Sequence, residues 1–280
     1  MVVVLENKTY RSLQLNSIPD HFWQGFPQVK GASVFLKPNL VTPKSLWDSD
    51  STTDVRVTEL VIQKLIAEEA KEIIVGECGF KNQWEATMKT TGYDALEEKY
   101  SGKVCLIPLQ DGPNFHKFTL QRLEKYLSLY GVKFSDYMLA CDVVINLPKM
   151  KVHTMAGVTG AIKNMMGTMA QKGSMHPRAN ANILHKRLAD LYQLTKSFVR
   201  FTVMDGIVGA EYSEQCGLPI YSKVLISGID QWEVDVAATK LMGIDPNQIQ
   251  YLKNIRRDFQ SIEVPSSSIQ HYEMPLSKKR

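Results

Sequence analysis

Between Lys149 and Lys163, four side chains that carry or accept a proton fall within 15 residues: Lys149, Lys151, His153 and Lys163. In an extended chain alternate residues face the same way, so the first three form a short cationic row. Gly157 and Gly160 flank Thr159, which lets the backbone approach a ligand at the start of a helix, where free N–H groups attract an anion. Lys163 then lies one turn inside that helix and reaches back toward the same ligand, with Asn164 beside it. The chemistry implied is anion capture, and Lys163 is expected to matter more to turnover than Lys149 at the outer end of the row. A basic loop before a glycine-tolerant helix start would have the same composition. The spacing differs from the nucleotide loop G-x-x-x-x-G-K-[ST], because Gly157 and Gly160 are too close and Asn164 follows the lysine.

Proton transfer points to other residues. Imidazole works near neutral pH with little tuning, which selects His153 and His176, both next to the basic stretch. His21, His116 and His271 have no such company, and His185 falls inside a helical pattern and reads as structural. Glu77 and Asp205 each end an apolar run and precede a cleft-facing turn, where a carboxylate projects away from the core. A lysine crowded by cations becomes a base or an amine nucleophile, whereas a lysine paired with Glu77 or Asp205 stays a charge clamp. Asp230 and Asp235 both read as complements to the dipole of the helix near Val234. The catalytic candidates are therefore Lys163, His153, His176, Glu77 and Asp205. The ligand-binding candidates are Lys37, Asn39, Lys149, Lys151, Thr159, Gly160 and Asn164. No ligand motif supports a metal, and none is expected.

These groups are held by alternating elements. Ser33-Val-Phe-Leu is a strand stopped at Lys37-Pro38-Asn39, since proline cannot continue a central ladder. Val57, Leu60, Val61 and Leu65 repeat with helical spacing behind Thr53-Asp54, and Ile73 to Val75 returns as a strand, which makes a parallel crossover unit. Further strands are expected at Val104–Ile107, Asp142–Asn146, Phe201–Met204 and Val224–Ile226. Helices are expected at Ala86–Tyr100, Phe118–Tyr130, Val158–Met166, Ala181–Ser197 and Val234–Leu241. The class is α/β, a mostly parallel sheet with helices on both faces. In such sheets ligands bind beyond the carboxyl ends of the strands, where Lys37, Glu77, Lys149 and Asp205 gather. Solvated loop charges would give the same inventory.

The 280 residues, 44% hydrophobic and 22% charged, describe a globular chain. Residues 1–262 are expected to form one large domain or two intimate lobes, and residues 263–280 a polar, mobile tail. Thirty-three Lys and Arg against 29 Asp and Glu leave +4, which suits a small anion but not a nucleic-acid surface. The start lacks the 7–15-residue apolar core of a signal peptide, and no apolar run approaches the roughly 20 residues of a membrane span. Cysteines 78, 105, 141 and 216 lie 27, 36 and 75 residues apart, without the C-x-x-C of zinc or iron–sulfur sites. A cytoplasmic location with reduced thiols follows, and the oligomeric state stays open.

Five ordered blocks carry a resemblance: Lys37-Pro-Asn-Leu-Val41, Asp142-Val-Val-Ile-Asn-Leu-Pro-Lys-Met-Lys-Val-His153, Val158 to Gly167, Val203-Met-Asp-Gly-Ile207 and Val234 to Gly243. Together they resemble domain-of-unknown-function family 362 over about residues 33 to 255. The resemblance implies an α/β domain. Many members carry added cysteine-ligated clusters, which this sequence lacks. It also departs from the family between Gly209 and Gly217, where a Gly-Pro-rich loop is usual. A fainter likeness, Thr159-Gly-Ala-Ile-Lys163 followed by His176, is to the N-terminal domain of nickel-pincer lactate racemases, and would set Lys163 and His176 across one cleft. The expected function is an enzyme that binds a small carboxylate or phosphate and moves protons, of isomerase, tautomerase or lyase type, with no cofactor. The alternatives are a redox-linked protein served by an iron–sulfur partner and a non-catalytic nucleotide or anion-binding module.

Overall fold

The fold is that of a computed structural model, which describes residues 1–40, 51–79, 83–109, 115–117, 127–129, 132–169, 180–215, 217–255 and 257–274. In chain order its strands are β1 (Val2–Leu5), β2 (Ser33–Pro38), β3 (Glu72–Glu77), β4 (Val104–Pro108), β5 (Phe115–Lys117), β6 (Lys133–Ser135), β7 (Val143–Leu147), β8 (Lys149–His153), β9 (Gly157–Thr159), β10 (Val199–Glu211), β11 (Leu218–Ile220) and β12 (Val224–Gly228). The helices are α1 (Val55–Ala67), α2 (Trp84–Thr91), α3 (Asp94–Lys99), α4 (Asp136–Ala140), α5 (Ala161–Asn164), α6 (Ala181–Thr195), α7 (Gln231–Leu241) and α8 (Gln250–Asn254).

One ten-stranded sheet runs β1-β12-β10-β7-β2-β3-β4, with β8 and β11 branching from its long strand β10 and β9 pairing in turn with β8. The pairs β4–β3, β3–β2, β2–β7 and β7–β10 are parallel, whereas β12 and β1 add antiparallel strands at one edge. The architecture is α/β with a mostly parallel sheet. Its centre is β2, β7 and the first half of β10, whose apolar runs are buried on both sides, as parallel strands require. Val34 and Leu36 join a cluster with Val57, Leu60, Val61 and Leu65 of α1, while Phe35 joins another with Leu188, Leu191 and Trp232 of α6 and α7. Each such fully buried aliphatic side chain contributes about 1.5–3 kcal/mol.

The β2–α1–β3 unit has the expected order, with the Asp54 side chain capping α1 by accepting from the Arg56 N–H. Other expectations need correction. The expected helix Ala86–Tyr100 is two helices, because Gly92 adopts φ 76° and ends α2. The expected helix Val158–Met166 begins as β9, paired antiparallel with β8, then becomes α5 and a 3-10 turn over Met165–Thr168. Of the expected helix Phe118–Tyr130, Leu127–Leu129 is a 3-10 turn and the rest lies outside the described residues. Strand β10 is far longer than Phe201–Met204, since it follows β7 and then continues along β8.

Within the C-terminal stretch expected to be a polar tail, residues up to Glu273 make hydrogen bonds to the rest of the fold. Gln270 and Tyr272 donate backbone N–H bonds to Leu241 and Met242, and Tyr212 donates to Glu273. Tyr272 is buried, its hydroxyl bonded to that of Ser222. Ser267 and Ser268 hydroxyls both donate to Glu6.

Candidate functional site

The ends of β2, β3, β7 and β8, together with the middle of β10, deliver a dense group of polar side chains to one region. Almost all of it is buried. Lys37 lies at the end of β2 and meets Glu77, the last residue of β3, with Nζ 2.5 Å from Oε2. Lys37 also donates to the Pro38 carbonyl at 2.6 Å, and the Leu40 N–H donates to Glu77 Oε2. The 3-10 turn closes over this pair at Gly167, where an added Cβ would overlap Glu77 Oε1 and sit 2.7 Å from Lys37 Cε. Gly167 is thus needed for space.

Lys149 opens β8 and pairs with Asp205 of β10 at 2.8 Å. Tyr10 completes a triangle, accepting from Lys149 at 2.8 Å and donating to Asp205 at 2.9 Å. Asp205 also accepts the backbone N–H of Asp54 and of Ile207. Its ring faced by the Arg56 guanidinium at 4.6 Å, Tyr10 is a participant that no spacing rule revealed. Lys149 and Lys37 are therefore charge clamps with resident carboxylates. Lys149, expected at an exposed outer end, is 1% exposed, because Asp205 neutralises it and lets the strand bury it.

Lys151 differs. Among the described residues it has no carboxylate partner, and its Nζ donates to Asn39 Oδ1 at 3.0 Å and to the carbonyls of Ser51 and Glu214 at 2.7 and 2.8 Å. Burial pushes its pKa down to about 7, and the nearby charges of Lys163 and Lys149 add to the effect against Glu214 and Glu77. Thr159 lies directly opposite Lys151 in the β8–β9 ladder, which puts both side chains on one face. The Thr159 and Ser51 hydroxyls are buried with no hydrogen-bond partner among the described residues.

His153 ends β8. Its Nδ1 accepts from the N–H groups of Met155 and Ala156 at 3.0 and 3.1 Å, so the neutral ring carries its proton on Nε2. That nitrogen lies 3.9 Å from Glu214 Oε1, while Glu214 Oε2 accepts from Thr154 N–H and Oγ1–H. Burial would raise the Glu214 carboxyl, but the Thr154 bonds and the Lys163 charge outweigh it and hold the group below its ordinary value. Glu214 lies in the turn after β10, which brings it beside His153 and Lys151.

A chain of amides links these parts. Asn39 Nδ2 donates to Asn164 Oδ1 at 2.9 Å, Asn164 Nδ2 donates to Asn146 Oδ1 at 2.8 Å, and Asn146 Nδ2 donates to the Ala161 carbonyl at 2.7 Å. Asn146 sits in a quoted motif, but a buried amide in a strand gives no sequence signal of its role.

The start of α5 is the main correction. The N–H groups of Ala161 and Ile162, expected to hold a ligand anion, donate to the carboxylate of Asp235. Gly160 leaves room for that carboxylate, since a Cβ there would overlap Asp235 Oδ1. Gly157 has φ 82° and abuts Ile249, so it too serves the fold. Asp235 stands inside α7, whose own cap is Asp230, and burial raises its pKa to about 7 despite bonds from Ala161, Ile162 and Tyr251. Of the expected residues, Lys37, Asn39, Glu77, Lys149, Lys151, His153, Thr159, Gly160, Asn164 and Asp205 adjoin one another through these contacts. Lys163, half-buried, acts on Lys151 and Glu214 through its charge. His176 lies outside the described residues, and with it the proposed facing of Lys163 and His176. Among the described residues no group of three or more His, Cys, Asp or Glu side chains is placed to hold a metal.

A family model described as Domain of unknown function (DUF362) matches residues 34–240. The chain belongs to that family. The DUF362 segment contains every residue named in this site except Tyr10, which precedes it, and Ile249 and Tyr251, which follow it. A relative is the "Thylakoid-associated protein sll1697" of Synechocystis sp. (strain ATCC 27184 / PCC 6803 / Kazusa), 23% identical over 222 residues, a match covering 78% of this chain and 65% of that protein. The chain thus spans just under two thirds of that relative's length. No helix among the described residues is long and apolar enough to cross a membrane.

Proposed function

We propose that this DUF362 protein is an enzyme that binds a small carboxylate or phosphate beside Lys151 and Lys163 and catalyses proton transfer, as isomerases, tautomerases and lyases do. One observation carries the reading: Lys37 and Lys149 are spent on Glu77 and Asp205, whereas Lys151 is buried without a carboxylate of its own among the described residues. Lys151 and Lys163 supply charge for the anion, Lys163 also serves as an acid–base group, and the Thr159 and Ser51 hydroxyls supply unused donors. A lysine that titrates near pH 7 exchanges protons at physiological pH, and His153 stands two residues along the same strand face. Lys37, Glu77, Asn39, Asn164, Lys149 and Asp205 hold this arrangement rigid. The cytoplasm as the place of action is supported by the free thiols of Cys78, Cys105 and Cys141.

The test is exchange of carbon-bound hydrogen in deuterium oxide, followed by NMR across a panel of small carboxylates and phosphates. At least one compound exchanges with the wild-type protein and not with Lys151→Met. Exchange in neither protein, or in both equally, contradicts the reading.

A further inference from the structure

The environment of Lys151 suits covalent chemistry as well as charge. Its amine is enclosed, its neighbours Lys149 and Lys163 are cations, and two of the three oxygens it touches are loop carbonyls, those of Ser51 and Glu214. Two residues that adjoin it, Thr159 and Ser51, carry buried hydroxyls with no hydrogen-bond partner among the described residues. Thr159 Oγ1 faces the same side of the β8–β9 ribbon, and Ser51 Oγ belongs to the residue whose carbonyl accepts from Lys151. A buried hydroxyl without a partner is costly, so a pair of them on residues that adjoin Lys151 marks a place where a ligand's oxygen completes the bonding.

We propose that Lys151 is an imine-forming lysine whose substrate is a small 2-oxo acid, with the Thr159 and Ser51 hydroxyls donating to the carbonyl oxygen and Lys163 facing the carboxylate. This rests on the anion-site reading above and specifies its substrate class. The Lys151 ammonium first gives up a proton, held by His153 or solvent. The free amine then attacks the carbonyl carbon, forming the C–N bond, and the carbonyl oxygen takes a proton from nitrogen to give a carbinolamine. That hydroxyl receives the proton released first and leaves as water, so the sum is ammonium plus ketone giving protonated imine plus water, with no oxidant or reductant. The protonated imine draws electrons from the adjacent carbon and acidifies its hydrogens, which joins the covalent step to the proton transfer already proposed. Titration of Lys151 near pH 7 makes the free amine accessible at neutral pH, in contrast to an exposed lysine.

The experiment is reductive trapping of the full-length chain with pyruvate or glyoxylate and cyanoborohydride at neutral pH, read by intact mass and peptide mapping, with pyruvate binding followed in parallel by saturation-transfer NMR. The expected result is one adduct, of the mass of the 2-oxo acid less one oxygen, with Lys151 labelled at least ~10-fold more than exposed lysines such as Lys30. Lys151→Arg, which keeps a cation but forms no imine, loses the adduct. No adduct, or label spread over surface lysines in the wild-type map, overturns the proposal whether or not the variant folds. Pyruvate binding without an adduct refutes the imine and leaves the anion site standing, whereas absence of both refutes the two together.

Discussion

At Lys37 and Lys149 the surrounding carboxylates decide what a lysine does. Removing Lys149 would leave Asp205 buried and unpaired, which typically costs about 3–5 kcal/mol. Lys149→Ala is therefore expected to lower the urea midpoint strongly, and a midpoint within error of wild type would show that the pair contributes nothing. Lys163 is half-buried, so Lys163→Ala should keep the fold while lowering turnover by about 10²- to 10⁴-fold. A loss confined to the Michaelis constant would make it a binding group only. The identities of these residues are legible in the sequence, because strand-end lysines and carboxylates announce themselves by position. Their pairing is not: nothing in the spacing of Lys149 and Asp205 distinguishes a closed ion pair from an open clamp, and Tyr10 lies 139 residues before its partner Lys149.

At the level of elements, the stretch Gly157–Thr168 shows why a helical pattern misleads. Val158 and Thr159 are β-branched and find a partner strand in β8, so tertiary pairing overrides the run of helix formers behind them. The N-terminus of α5 then has its hydrogen-bond acceptor built in, because Asp235 points out of α7 toward it while Asp230 alone caps α7. The folded pKa of Asp235, raised from 3.8 to about 7, means that the native state retains a proton that the unfolded chain has lost. Its contribution to stability is full below the unfolded value and is lost as pH rises through about 7. Compared with Asp235→Asn, which does not titrate, wild type should lose on the order of 1 kcal/mol per pH unit between about 4 and 7. Parallel stability curves for the two proteins over that window would show that Asp235 is not shifted. Gly160→Ala tests the same contact, since the new methyl would occupy the place of the carboxylate, and a large drop in melting temperature is expected.

For the molecule as a whole, the crossover β2–α1–β3 and the alternation of elements follow from short apolar runs and a helical stripe, which is why the α/β class can be read directly. The antiparallel edge and the packed C-terminal stretch cannot, because Val2–Leu5 and Tyr272 owe their places to partners far away in the chain, Gly228 to Leu225 and Ser222. Truncation after Ile262 should therefore lower the melting temperature, and an unchanged value would mean that Tyr272 and its bonds are dispensable. The central claim is that Lys151 provides the positive charge of an anion site. Calorimetric titration of wild type and Lys151→Met with phosphate and with pyruvate, at about pH 6 and about pH 8.5, on either side of the Lys151 titration, tests it most directly. Since Lys151 titrates at about 7, the wild type should bind one of these anions in a 1:1 complex that weakens as pH rises past that value, and the variant should lose both the tight binding and the pH dependence. Binding of neither anion, or equal binding by both proteins at both pH values, would contradict the account.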